Sequence, residues 1–150
     1  MLISKKWLNS HLDVTDLSNS EFDDILTFAG VEVEGITEKG VASDLVVVAE
    51  VVASEQHPNA DRLSVTKVDA GEPELRQIVC GAKNYKVGDK VPCALPGAVL
   101  PGGFEIKETV MRKVESRGML CSAVEVGLGS DHSGLMILPD EWEKGKPLRQ

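Results

Sequence analysis

The sequence predicts a mainly β protein with short helices: an OB-type β-barrel over residues 41–150, preceded at 1–40 by a small half-domain of helix and strand. Three observations carry this. Helical spacing of apolar residues is confined to the first thirty positions. From residue 45 the apolar pattern changes to period two. The two-period segments are short and are separated by turn residues, which favours a barrel or sandwich over a parallel sheet.

The elements follow in order. A short helix carries Trp7, Leu8 and Leu12. Ser18-Asn19-Ser20-Glu21 has the spacing of a capping box, in which Ser and Glu satisfy each other's exposed backbone N–H groups. Behind it Phe22, Ile25, Leu26 and Ala29 fall on one helical face, and Gly30 stands where a C′ glycine ends a helix. Val31-Glu32-Val33-Glu34 alternates as a half-buried strand. Residues 35–43, with two glycines and few apolar side chains, read as a link. Strands are then expected at Leu45–Ala53, Leu63–Val68, Gln77–Cys80, Val91–Leu95, Phe104–Val114 and Leu135–Leu138. A helix is expected at Ser122–Val126, where Ser122 and Glu125 repeat the capping-box spacing.

Composition bounds the function. A 42% apolar and 27% charged chain of 150 residues supports an ordinary core. No apolar run approaches a membrane span, and no h-region follows the N-terminal lysines, so membrane and secretory readings are set aside. Three cysteines, none in a C-x-x-C pair, read as buried reduced thiols of a cytoplasmic protein. The net charge of −8 is unevenly spread: residues 1–40 hold eight acids against three bases, while residues 62–117 hold ten bases against seven acids. Any polyanion contact belongs in that middle stretch.

Nucleotide and catalytic motifs are missing. There is no G-x-x-x-x-G-K-[ST] loop, and Asp131, His132 and Ser133 are neighbours in sequence rather than an assembled triad. His57 and His132 lack ligands at metal spacing. Three loops remain. His57-Pro58-Asn59-Ala60-Asp61-Arg62-Leu63 reads as a rigid inter-strand turn, with His57 a group that could meet a phosphate or partner. Gly81-Ala82-Lys83-Asn84-Tyr85-Lys86 is compact and basic, either a solvated turn or a phosphate-contacting one. Arg112 to Ser122 clusters bases and hydroxyls before the second capping box.

Together the segments HPNADRL (57–63), IVCGAKN (78–84), VPCALPGAVLPGG (91–103) and VESRGMLCSAVEVGLG (114–129) closely resemble the tRNA-binding OB domain family. The resemblance runs from about Leu45 to Leu138. ISKKWLNSHLD, LTFAGVEVEGI (26–36) and GLGSDHSGLMILP (127–139) resemble its phenylalanyl-tRNA synthetase β-subunit branch, at the N-terminal end of a longer chain. In that branch the barrel is inserted into a split small α/β domain, so the resemblance makes residues 1–40 its first half.

The resemblance implies an accessory module without an active site, inside an ATP- and Mg2+-dependent ligase that joins phenylalanine to its tRNA. No cofactor is expected on these residues themselves. The implied partners are tRNA and the ligase α subunit, in an assembly of two α and two β subunits, with neither DNA nor membrane. Carried over by position, the RNA-facing candidates are Lys83, Asn84, Lys86, Arg112, Ser116, Met119 and Ser122. Lys113 joins them on local chemistry alone. Two other functions compete: an architectural role in subunit assembly with little tRNA affinity, and a stand-alone tRNA-binding chaperone.

Overall fold

The computed structural model describes residues 1–37, 40–41 and 43–148. The chain divides into two compact units, Met1–Glu38 and Lys39–Gln150.

The first unit holds α1 (Lys5–Asn9) and α2 (Asn19–Phe28). The capping box of α2 forms as its sequence requires: Glu21 N–H donates to Ser18 Oγ at 3.2 Å, and Ser18 N–H donates to Glu21 Oε2 at 2.9 Å. At the other end Gly30, at φ +85°, donates to the Thr27 carbonyl, and Val31 donates to the Leu26 carbonyl. That is the two-bond Schellman ending, reached only by a residue tolerant of positive φ. The strand expected at Val31–Glu34 does not form; a half-buried strand needs a neighbouring strand, and this unit holds none among its described residues. Neither helix buries a side chain.

The second unit is the OB-type barrel. Its main sheet is antiparallel, in the order β3-β2-β1-β4-β9: β1 (Val46–Gln56), β2 (Ser64–Asp69), β3 (Arg76–Cys80), β4 (Lys90–Ala94) and β9 (Met119–Leu120). Two ribbons accompany it, β5 (Val99–Leu100) with β6 (Phe104–Glu105), and β7 (Thr109–Met111) with β8 (Val114–Ser116). The central strand β1 explains its own apolar run. Its side chains alternate between two cores, Val46 and Val48 on one side, Val47, Ala49 and Val51 on the other. A strand covered on both faces has no reason to alternate in polarity. At Val52 the register with β2 slips by one residue, a bulge that bends β1 around the barrel. The second half of β1 pairs with β2, while Lys146 and Leu148 take up backbone groups of Val48 and Val46 beside its first half.

Three expectations are corrected. Phe104–Val114 is not one strand: it breaks into β6, which pairs with β5, then β7 and the start of β8, between which the chain reverses at Arg112 and Lys113, both at positive φ (48° and 73°). Leu135–Leu138 makes a single bridge, Lys90 to Leu138, rather than a strand. Its place beside the sheet is held instead by the Asn84 side chain and a Met136–Cys121 backbone bond. Ser122–Val126 is one turn rather than a helix. Its capping box is complete, with Ser122 N–H to Glu125 Oε2 at 2.6 Å, but Gly127 at φ +77° stops propagation at once.

The barrel closes where β3 meets the β8–β9 segment. The buried Ser116 hydroxyl accepts from Val79 N–H at 3.1 Å and lies 3.2 Å from the Gly118 carbonyl, to which it donates. Arg117 N–H donates to the Gln77 carbonyl at 2.8 Å. Gly118 sits at φ +134°, and a Cβ there would lie 2.7 Å from the Ala94 carbonyl oxygen. The cysteines are buried and free. Burial pushes the Cys93 thiol up to about 12 and raises Cys80 and Cys121 as well.

Two outcomes follow from this packing. Ser116→Ala leaves the Val79 N–H without a partner inside the barrel wall and costs about 1–3 kcal/mol in denaturant unfolding. The second concerns Lys144, which lies 3.2 Å from Glu50 and 2.7 Å from Asp69, two acids directly opposite each other on β1 and β2. The Lys144 hydrogen bond, then the Gly71 backbone, hold Asp69 below its ordinary value. A carboxyl depressed on folding stabilises above its unfolded pKa and stops doing so as pH falls through the folded one. Lys144→Met therefore lowers the thermal midpoint at neutral pH, and the difference from the parent chain shrinks below about pH 4.

Candidate nucleic-acid interface

The site begins with the turn between β1 and β2. Pro58 fixes one φ, and the Gln56 amide donates to the carbonyls of Ala60 (3.0 Å), Asp61 (3.0 Å) and Leu63 (3.1 Å), so residues 57–63 are tied to the strand that precedes them. Two basic segments flank this turn. On one side the β7–β8 hairpin brings its tip, Arg112–Lys113, against it: Asn59 Nδ2 donates to the Arg112 carbonyl at 3.0 Å. On the other side Lys83 Nζ donates to Ser64 Oγ at 2.7 Å, and Ser64 is paired with Gln56 and Cys80. Arg62, exposed within the turn itself, adds a fourth cation.

Ion pairing divides the cations of the barrel. Arg76 pairs with Glu72, Arg117 with Glu115 (3.5 Å), Lys144 with Glu50 and Asp69, and Lys146 with Glu143 (3.6 Å). Arg62, Lys83, Arg112 and Lys113 have no ion-pair partner among the described residues, as is also true of Lys67, Lys86 and Lys90; the four are set apart by lying in or beside the 57–63 turn. Their charge is therefore available to an outside anion.

The eight sequence candidates separate accordingly. Lys83, Arg112 and Lys113 are exposed around the 57–63 turn. Lys86 is exposed too but lies elsewhere on the β3–β4 loop, where Tyr85 bonds Ser54 and Gly88 bonds Val51, further back along β1. Ser116 closes the barrel wall and Ser122 caps its turn; both are buried. Met119 packs against the core that holds Val46 and Val48. Asn84 spends its carboxamide on Leu135, donating to its carbonyl and accepting its N–H, both at 2.9 Å. Gly134 makes room for it, since a Cβ there would stand 2.3 Å from the Asn84 amide oxygen. Arg62 was not among the candidates; the signal was an arginine inside a proline-fixed turn. His57 and Asn59 turn out to bond protein groups.

Residues 46–147 match the family model described as "Putative tRNA binding domain". The chain belongs to this tRNA-binding domain family. It is 54% identical over 149 residues to a phenylalanine–tRNA ligase β subunit of Chromobacterium violaceum, covering 99% of this chain and 19% of that protein. It is 51% identical over 148 residues to the same subunit of Anaeromyxobacter dehalogenans, covering 99% and 18%. The chain thus spans about a fifth of the length of the curated relatives it matches. Among solved structures, the C-terminal domain of Plasmodium vivax p43 aligns with TM-score 0.51 at 25% identity, over 77% of this chain and 62% of that one. A MetRS related protein from Pyrococcus horikoshii aligns at 0.51 and 24% identity, over 68% and 86%, a likeness of fold.

Membership of the tRNA-binding domain family does not make every matching polar residue a contact. Asn84→Ala removes two hydrogen bonds that brace the Leu135 loop and costs about 1–2 kcal/mol of stability. Arg112→Ala and Lys86→Ala, at exposed positions without ion pairs, stay within about 0.5 kcal/mol. Urea unfolding of the three variants separates bracing groups from those left over for binding.

Proposed function

We propose that this barrel is an accessory, non-catalytic tRNA-binding module working within a phenylalanine–tRNA ligase β subunit. The observation that carries the reading is the gathering of Arg62, Lys83, Arg112 and Lys113, none with an acidic partner among the described residues, around one rigid turn in a chain of this family. The parent enzyme would attach phenylalanine to tRNA with ATP and Mg2+ in the cytoplasm, with the α subunit as its partner in a complex of two α and two β subunits. Among the described residues there is no group of three His, Cys, Asp or Glu side chains placed to hold a metal ion. No helix among them is long and apolar enough to cross a membrane.

The chemistry of the patch favours the phosphate backbone over unstacked bases. Tyr85, the aromatic residue nearest in sequence to Lys83, is half-buried and bonds Ser54 at 3.0 Å. Single-strand binders stack successive bases on exposed rings, whereas folded RNA is read by shape, phosphate and 2′-OH contacts.

A second reading applies to Met1–Glu38. Ile25 is 52% exposed and Phe28 91% exposed on a helix that buries nothing, which favours an assembly role for that unit.

Titration of tRNA into the 150-residue chain tests the main reading. Three or four phosphate contacts reduce affinity by about 50-fold between about 50 and about 200 mM salt. Arg112→Glu lowers low-salt affinity about tenfold and flattens the salt dependence. A response flat in salt, or an unaltered Arg112→Glu variant, would overturn the reading.

A further inference from the structure

The β7–β8 hairpin has a two-residue turn of unusual composition. Met111 pairs with Val114, leaving Arg112 (φ 48°) and Lys113 (φ 73°) as its central residues. Such a turn needs positive φ at both positions and is ordinarily made from Asn-Gly or Gly-Gly. An L side chain pays for that conformation, and two in succession persist only where the surroundings hold them.

The surroundings here are two side chains of the 57–63 turn. The buried His57 places Nε2 3.1 Å from the Met111 carbonyl. Its Nδ1 accepts the Asn59 N–H at 3.0 Å, which fixes the neutral tautomer with its proton on Nε2, so that Nε2 donates to Met111. Asn59 Nδ2 donates to the Arg112 carbonyl at 3.0 Å. Pro58 stands between the two and fixes their spacing. The hairpin thus gives up the turn residues that would stabilise it locally and carries two cations instead, while a neighbouring loop grips its carbonyls.

We propose that His57 and Asn59 are positioning residues for RNA binding: they clamp the strained Arg112–Lys113 turn so that both cations are presented in one fixed arrangement. This rests on the reading of the basic tip as an RNA contact. Without the clamp the tip samples other turns. Apparent affinity then falls in proportion to the remaining competent fraction.

The test is a cycle on the 150-residue chain, read by tRNA titration at low salt. Asn59 is exposed, so Asn59→Ala preserves the fold. It is expected to weaken binding about fivefold, the effect of one lost hydrogen bond on the tip's population. Lys113→Gly weakens binding by removing a cation but also relieves the turn. In that background Asn59→Ala is expected to change affinity by less than about twofold, because glycine at the second central position relieves one of the two strained residues and leaves the clamp less to hold. Amide exchange at residues 111–114 rises in Asn59→Ala and stays low when Lys113→Gly is added. An equal loss from Asn59→Ala in both backgrounds would mean that Asn59 touches RNA directly and would sink the clamp, as would no loss in either. Arg112→Glu separates the two levels: if it leaves binding unchanged, the RNA reading fails; if it weakens binding while Asn59→Ala does not, the clamp alone fails.

Discussion

The Ser116 hydroxyl, bonded to the Val79 N–H across the barrel seam, is the contact on which the rest of the molecule turns. A five-stranded sheet has two edges, and an open edge leaves backbone donors and acceptors without partners. Here β3 is one edge and β9, only two residues long, is the other. Ser116 and Arg117 join them, and Gly118 lets the chain pass within contact of the Ala94 carbonyl. The β7–β8 hairpin ends at Ser116, so the seam also fixes where the Arg112–Lys113 tip emerges. Closure and presentation of charge are consequences of one junction.

The same economy governs the central strand. By alternating its side chains between two apolar clusters, β1 serves both the barrel interior and an outer core made by the connecting segments. Those segments are poor in regular structure, yet Leu100, Ile106, Val126, Leu138 and Leu148 all bury their side chains beside Val46 and Val48. Burial of a side chain of that kind is worth about 1.5–3 kcal/mol, enough to order loops that make few ladder bonds. The polar devices then specify the arrangement: Asn84 stands in for a strand partner to Leu135, and Lys144 relieves the opposition of Glu50 and Asp69.

The sequence makes the long strands, the N-terminal capping box and the Gly30 helix stop legible, because each is a local pattern with one physical outcome. The missed features depend on partners far along the chain. Arg112-Lys113 does not look like a hairpin turn, since the residues that hold it are His57 and Asn59, more than fifty positions earlier. Asn84 looks like a free amide until Leu135 arrives beside it. Ser116 was readable in principle: in Val114-Glu115-Ser116 the alternation sends the serine inward with the valine and the glutamate out. A role carried over by position from a family says nothing of that register. Exposed lysines and arginines were recognised as bases, but not which of them lacked acids, because pairing is a property of the fold.

An acidic chain can still offer a polyanion a foothold. Most of the excess negative charge lies in residues 1–40, ahead of the barrel strands in the chain. At physiological ionic strength the screening length is about 8 Å, so an exposed phosphate responds to the nearest cations rather than to net charge. On the proposed reading that foothold is weak by design of its parts. Phosphate contacts without stacked rings or base-edge donors give dissociation constants of about 10⁻⁴ to 10⁻⁶ M at physiological salt. Such a surface is of little use alone. Tethered to a second RNA site on one polypeptide it acts at an effective concentration in the millimolar range, where a contact of this strength is largely occupied and adds to the residence of the whole RNA. A rigid tip matters more in that setting than a strong one, since a tethered contact contributes only when its geometry allows both sites to be engaged together.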